Sequence, residues 1–248
     1  MESYPNQKKS WFSTWFDTKY YHTLYKNRDE SEAELFISNL YQLLNLSNEQ
    51  VLDLACGKGR HSITLNNLGL DVLGVDLSPQ SILSASKFQT DTLKFQVHDM
   101  REVIENKYFD VVFNLFTSFG YFDDEADNFT VLRSIYEMLH PNGVLVIDFM
   151  NATKVLNTLV KTEEKIEDGI VFNLKREFDG RFIRKYISFS DQDEQFHFQE
   201  SVRGFTFDDF HSMLTQTNFK IESVFGDFQL NPYNAFSSDR LIIIARKL

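Results

Sequence analysis

Between residues 51 and 147, short apolar runs alternate with turns and with stretches whose apolar residues recur at helical spacing. The runs at 51–54, 71–75, 93–97, 109–115 and 144–147 predict strands, since each is too short for a buried helix and is bounded by turn residues. Helices are predicted at 59–68, after Ser78-Pro79, and over 124–139, where Phe129, Leu132, Tyr136 and Leu139 share a face. Ser78 suits an N-cap and Pro79 the first helical position. Pro141-Asn142-Gly143 predicts a turn into Val144–Ile147. Upstream, Ala33, Phe36, Ile37, Leu40 and Leu44 form one face of a helix over 29–44, with Asp29 as its cap and Glu32 at the capping-box position. Strands alternating with helices imply a parallel sheet covered on both faces, an α/β fold.

After about residue 160 the period changes to two. Ile170–Leu174, Phe182–Phe189 and Gln195–Val202 carry strand composition, and Asp168-Gly169 and Asp179-Gly180 are strong hairpin turns. Residues 163–203 therefore read as a small antiparallel β insertion. A helix starting at Thr206, with Asp209 three residues on, and strands at 219–225 and 241–245 complete the chain. The predicted division is 1–162 plus 204–248 as one α/β domain, with 1–45 as a helical cap, and 163–203 as an insertion expected to form a substrate lid.

The chemistry concentrates in Val51-Leu-Asp-Leu-Ala-Cys-Gly57-Lys-Gly59-Arg-His61, where a buried strand enters a glycine turn and then a helix. Glycines let the backbone turn sharply and approach a ligand with no Cβ in the way. The free N–H groups of the next helix face the same ligand. Asp53 lies four residues before Gly57, and Asp76 closes the second strand, where a carboxylate can accept both hydroxyls of a ribose. A dinucleotide fingerprint would need a third glycine, and that position is Ser62.

The spacing Asp53, Gly57, Gly59 with Asp76 resembles the first motifs of class I S-adenosylmethionine-dependent methyltransferases. The resemblance implies a Rossmann-like seven-stranded sheet whose last strand runs antiparallel, with helices on both faces, and S-adenosyl-L-methionine as cofactor. It implies that Asp53, Ala55, Gly57, Gly59 and Arg60 surround the amino-acid end of the cofactor, that Asp76 takes the ribose, and that Leu77, Asp99 and Met100 take the adenine. Asn114 and Leu115 would stand by the methionine portion and the methyl group. Each has a structural alternative: Asp76 as a helix entrance, Asp99 as a turn cap, Met100 as core, Asn114 as partner of strand-end amides, Arg60 as a solvated side chain, and His61 as a packed histidine. Asp110 is expected to bond to a neighbouring strand.

Leu115-Phe-Thr-Ser-Phe-Gly-Tyr-Phe122 and His140–Asp148 resemble a bacterial subgroup of small-molecule methyltransferases that includes N,N-dimethyltransferases of nucleotide-linked amino sugars. Tyr121 stands where that subgroup often has a histidine. Catalytic-side candidates are Tyr21, Tyr121 and His197. Tyr20, His22 and Arg28 belong to an aromatic N-terminal run expected to close the pocket, while Arg184, Arg203 and Tyr233 are further candidate contacts. No triad or metal is expected, because a sulfonium donor is already activated and the enzyme's main task is alignment.

A length of 248 residues suffices for one well-buried α/β domain with an insertion. The 25 phenylalanines predict an aromatic core and pocket. A net charge of −11 argues against nucleic acid or an anionic membrane as partner. The single cysteine, Cys56, excludes an internal disulfide and fits a reducing cytoplasm. The expected partner is a small-molecule substrate, with the chain a monomer or homodimer. Two other functions stay open: a nicotinamide-dependent oxidoreductase, and a nucleoside-binding regulatory module without turnover.

Overall fold

The computed structural model describes residues 15–26 and 30–248, with Glu30 in its backbone alone. Asp29 and Arg28, named above, lie outside the described residues. The elements run α1 (Lys19–Leu24), α2 (Glu30–Leu43), β1 (Gln50–Leu54), α3 (Arg60–Asn67), β2 (Asp71–Asp76), α4 (Pro79–Ala85), β3 (Leu93–Val97), β4 (Phe109–Asn114), α5 (Glu125–Met138) and β5 (Leu139–Met150). There follow α6 (Ala152–Asn157), β6 (Thr162–Glu167), β7 (Ile170–Phe178), β8 (Phe182–Asp191), β9 (Glu194–Arg203), α7 (Phe207–Gln216), β10 (Phe219–Phe225) and β11 (Arg240–Lys247).

Seven strands form one sheet in the order β10-β11-β5-β4-β1-β2-β3, and β11 is antiparallel to both its neighbours. Strands β1 to β5 pair in parallel, which buries both faces and explains their near-continuous apolar runs. One core cluster gathers Leu52, Val112, Ile135, Leu145 and Phe210, and the other gathers Phe36, Leu40, Val51, Val111 and Ile244. Ala33, Phe36, Ile37 and Leu40 are all buried, the face read from their spacing. Ser78 caps α4 by accepting from Ser81 N, and Thr206 and Asp209 form a reciprocal capping box on α7. Asp110 accepts from Gln50 N at 2.9 Å, tying β4 to β1.

Strands β6 to β9 form a separate antiparallel sheet in chain order. Asp168-Gly169 supplies two successive positive φ angles, 48° and 80°, for the first hairpin. The third hairpin turns at Gln192-Asp193 with φ of 50° and 64° and no glycine, so it carried no clear turn signal. Two further features depart from expectation. Helix α6, capped by Asn151, was not foreseen, being only six residues long. The Pro141-Asn142-Gly143 turn lies inside β5 as an outward bulge: Leu139 pairs with Phe109, and pairing resumes with Val144 opposite Val111.

Candidate active site

The chain passes outward through β1, β2 and β3 and then returns to β4 on the other side of β1, so the strand order reverses between β1 and β4. Such a reversal leaves a crevice at the carboxyl ends of the strands. A cavity of about 670 Å³ opens there, within the range that small-molecule ligands occupy, roughly 300–1,000 Å³.

Its floor is the turn between β1 and α3. Ala55 and Gly57 both have positive φ, 66° and 57°, and a Cβ built on Gly57 would meet nothing within 4 Å. The turn is pinned from β2: the Asp76 carboxylate accepts from Gly57 N at 2.9 Å and from Ser78 N at 2.8 Å. Asp53 is buried beside it and accepts from Ser62 Oγ at 2.5 Å. Burial pushes the Asp53 carboxyl up to about 6, the Ser62 hydroxyl opposing and the Asp76 charge reinforcing the shift. Burial also raises Asp76, against the two amides that it accepts from. Two carboxylates at adjacent strand ends facing one cavity make a site for hydroxyls and positive charge.

Of the residues expected around the cofactor, Asp53, Ala55, Gly57, Arg60, Asp76, Leu77, Asp99, Met100 and Leu115 line this cavity. Asp99 is also engaged by Arg101, whose guanidinium and main-chain N–H both donate to it; although burial works the other way, they hold its carboxyl below the ordinary value. Two expected residues do not line it. Asn114 is fully buried and donates to Leu54 O at 3.0 Å, so it fastens β4 to β1. Gly59 (φ 84°) serves packing: a Cβ there would stand 2.6 Å from Phe95 Cζ. The same ring lies where a Cβ on Gly74 would stand, at 2.7 Å, so two glycines make room for one phenylalanine between α3 and the sheet. Gly59→Ala should therefore lower stability by about 1–3 kcal/mol, from overpacking and left-handed strain. A thermal melt with an unchanged midpoint would refute this, and Phe95→Leu in the same chain should restore part of the loss.

The roof comes from the N-terminal segment. Phe16, Tyr21, His22 and Tyr25 line the cavity, with Tyr121 beside Phe16 at 5.7 Å between ring centroids. Burial lowers His22 to about 4, with the charge of Lys58 contributing, and lowers His61 to about 3, so both imidazoles are neutral at pH 7. No residue of the 163–203 insertion lines the cavity. Its inner face instead carries the roof. Trp15 and Leu24 are buried among Phe172, Leu174, Ile187 and Phe189. Trp15 Nε1 and the Tyr25 hydroxyl both donate to Glu200 at 2.7 Å, and the Tyr20 hydroxyl donates to Asp191 at 2.8 Å. Ser78 Oγ also donates to Asp17, tying the segment to the start of α4.

His197 accordingly falls away from the cavity. Phe196 and Phe198 face the N-terminal segment, and His197 is exposed in a shallow depression with Asn173 and Ser188 on the outer side of the sheet. Alternation put it on the opposite face from its neighbours, and the face toward the roof is the aromatic one. Arg184 pairs with Asp179, Arg203 stacks over Phe182 and Phe205, and Tyr233 donates to Asn151 at 3.1 Å; none lines the cavity.

Sequence reasoning missed Phe116 and what holds it. Phe116 and Thr117 both have φ of 61°, a costly conformation for a phenylalanine and a β-branched residue. The corner is fixed by Asp148, fully buried on β5, which accepts from Phe116 N at 2.8 Å and from Arg240 Nε at 2.7 Å. Arg240 also donates to Thr117 Oγ1 at 3.1 Å. Among the described residues no group of three or more His, Cys, Asp and Glu is arranged to hold a metal ion, and no helix is long and apolar enough to cross a membrane.

Residues 45–217 match the family described as Methyltransferase domain. The chain is 30% identical over 241 residues to the glycine/sarcosine N-methyltransferase of Aphanothece halophytica, covering 89% of this chain and 83% of that protein. Among solved structures, it is similar to an S-adenosylmethionine-dependent methyltransferase from Clostridium acetobutylicum ATCC 824, with a TM-score of 0.79 at 21% identity over 92% of this chain and 96% of that one. It is also similar to the sugar N-methyltransferase KedS8 from Streptoalloteichus sp ATCC 53650, with a TM-score of 0.70 at 22% identity over 100% and 96% of the two chains. The match over residues 45–217, on a seven-stranded sheet with an antiparallel last strand and a carboxylate-lined cavity at its switch point, makes the chain a member of the class I S-adenosylmethionine-dependent methyltransferases.

Proposed function

We propose that this chain transfers the methyl group of S-adenosylmethionine to the nitrogen of a small amine, held in the space between the floor at Gly57 and the aromatic roof. The observation that carries the reading is a pair of carboxylates, the buried Asp53 and the half-buried Asp76, set at neighbouring strand ends around a glycine whose missing Cβ leaves open space. Asp76 would accept the ribose hydroxyls while Gly57 N and Ser78 N hold it in place. Asp53 would face the ammonium of the amino-acid end, and Leu77, Asp99 and Met100 the adenine. The similarity to a glycine/sarcosine N-methyltransferase supports an amine as acceptor.

When bound, the cofactor supplies a sulfonium-activated methyl group. The chain's own residues then have to align the acceptor, exclude water and disperse positive charge. Phe16, Tyr21, Tyr25 and Tyr121 suit the last two tasks, since aromatic faces attract a cation. Holding reactants in a near-attack geometry supplies on the order of 7–11 kcal/mol in favourable cases. His22 and His61 are too weakly basic to deprotonate an ammonium at neutral pH. The acceptor would therefore arrive as the free amine, positioned by Tyr21 and Tyr121.

The test is incubation of the purified protein with S-adenosylmethionine and a panel of small primary and secondary amines and amino sugars, read by mass spectrometry. The expected result is S-adenosylhomocysteine together with an acceptor one methyl group heavier. Demethylated cofactor from none of the amines, in a protein that binds the donor, would contradict an amine acceptor.

The raised Asp53 carboxyl gives the site a pH dependence. A cationic ligand favours ionised Asp53, so affinity should rise with pH through about 6. With only about a tenth of Asp53 ionised one unit lower, binding at pH 5 should be roughly tenfold weaker than at pH 7. Stability runs the other way. The folded state holds this proton more tightly than the unfolded chain, so Asp53 contributes most below about pH 4, and that contribution is lost as pH rises through about 6. Calorimetric titration with S-adenosylhomocysteine at pH 5, 6 and 7 reads the affinity. Asp53→Asn should flatten the dependence, and a variant as steep as the wild type would assign it to another group.

A further inference from the structure

The inner face of the β insertion changes character along β8 and β9. Cross-strand neighbours there are Phe189 with Phe196, Ile187 with Phe198, and then Lys185 with Glu200. The first two pairs pack with Trp15, Leu24 and Tyr20 of the N-terminal segment. The third is an ion pair, 3.6 Å apart, with both side chains 15% exposed. An ion pair so enclosed contributes little stability that apolar residues of the same size would not supply. Its presence at the end of an apolar face needs another cause.

The hydrogen bonds supply one. Glu200 accepts from Trp15 Nε1 and from the Tyr25 hydroxyl, each at 2.7 Å. Tyr21, which lines the cavity, lies between those two residues, 5.7 Å from the Trp15 ring and 5.0 Å from the Tyr25 ring between centroids. One carboxylate thus fixes both rings that flank it. Lys185 donates to the Tyr25 hydroxyl, and its ammonium lies 4.5 Å from the centroid of the Tyr25 ring. The hydroxyl is therefore committed as donor to Glu200 and acceptor from Lys185, and the ring is what Tyr25 offers the cavity. An ammonium held against an aromatic ring opposes the approach of a second cation. A carboxylate beside that ammonium cancels the opposition.

We propose that Glu200 is a positioning residue for methyl transfer: by holding Trp15 and Tyr25 and balancing the Lys185 charge, it lets the aromatic wall accept a cationic reacting centre. The inference rests on the reading of this cavity as the donor site with Tyr25 in its wall, and the test separates the two. Sinefungin carries an ammonium where S-adenosylhomocysteine has a neutral thioether. Both are titrated calorimetrically into the wild type, Glu200→Gln, Lys185→Gln and the double variant, with thermal melts of each protein. Glutamine keeps an acceptor for Trp15 and Tyr25 and removes the charge. Glu200→Gln should weaken sinefungin by about tenfold and leave S-adenosylhomocysteine within about twofold. Lys185→Gln should bind sinefungin at least as tightly as the wild type. The double variant, with neither charge, should return sinefungin to within about threefold of the wild type. Unchanged sinefungin affinity in Glu200→Gln would overturn the proposal, as would equal weakening of both ligands, the mark of a merely loosened roof. So would a double variant as weak as the single one. Should Glu200→Gln fail to fold, weaker sinefungin binding by Lys185→Gln would overturn it alone. If the wild type bound neither ligand, the cavity reading itself would fall, and this assignment with it.

Discussion

Asp76→Ala is expected to weaken S-adenosylhomocysteine binding by about a hundredfold or more, the largest single loss at the site. The carboxylate has two tasks. It bridges Gly57 N and Ser78 N, which fixes the floor turn against the start of α4, and it presents the remaining lone pairs to the ribose. Alanine removes a charged acceptor for two ligand hydroxyls and leaves two amide donors unanswered inside the protein. Asp76→Asn keeps one oxygen but turns an NH2 toward amides that already donate, so it should lose most of the affinity too. Calorimetry gives the binding and a thermal melt the fold. Full affinity in either variant would remove Asp76 from the ribose site.

Asp148→Ala is expected to lower stability by about 3–5 kcal/mol, because it leaves a largely buried guanidinium without its partner. Arg240 would then stand against Phe116 and Phe228 with its charge unpaired, and Phe116 N would lose its acceptor. The consequence reaches the cavity without Asp148 touching it. Leu115 and Phe116 line the wall at the end of β4, and the adjacent positive φ angles at Phe116 and Thr117 are held by this pair. Urea unfolding should show the reduced midpoint, and cofactor affinity should fall with it. Asp148→Asn, which can still accept from Phe116 N, should lie between. A stable Asp148→Ala protein with wild-type binding would show that the corner holds itself.

The sheet was legible because burial on both faces forces unbroken apolar runs: 93–97 and 219–225 coincide with β3 and β10, and the others differ by a few residues at their ends. The floor of the site was legible because its chemistry is local. Asp53, Ala55, Gly57 and Arg60 lie within eight residues, and Asp76 closes the next strand. What was hidden depends on contacts between distant residues. The Asp148–Arg240 pair spans 92 positions, and nothing in either neighbourhood marks it. Gly59 reads like Gly57 in sequence, yet it faces Phe95, a residue two strands away. His197 follows the period-two pattern correctly, but alternation cannot say which face of a sheet meets the rest of the molecule. That was decided by Trp15, Tyr20 and Tyr25, which pack on the β insertion and so make it the support of the roof.

A crystal structure of the protein grown with S-adenosylhomocysteine tests the central claim most directly. The account predicts the adenosyl group in the cavity beyond β1 and β2, both ribose hydroxyls about 3 Å from the Asp76 carboxylate, and the amino-acid end over Gly57 toward Asp53. Ligand density elsewhere, or a nucleoside whose ribose stands away from Asp76, would contradict it.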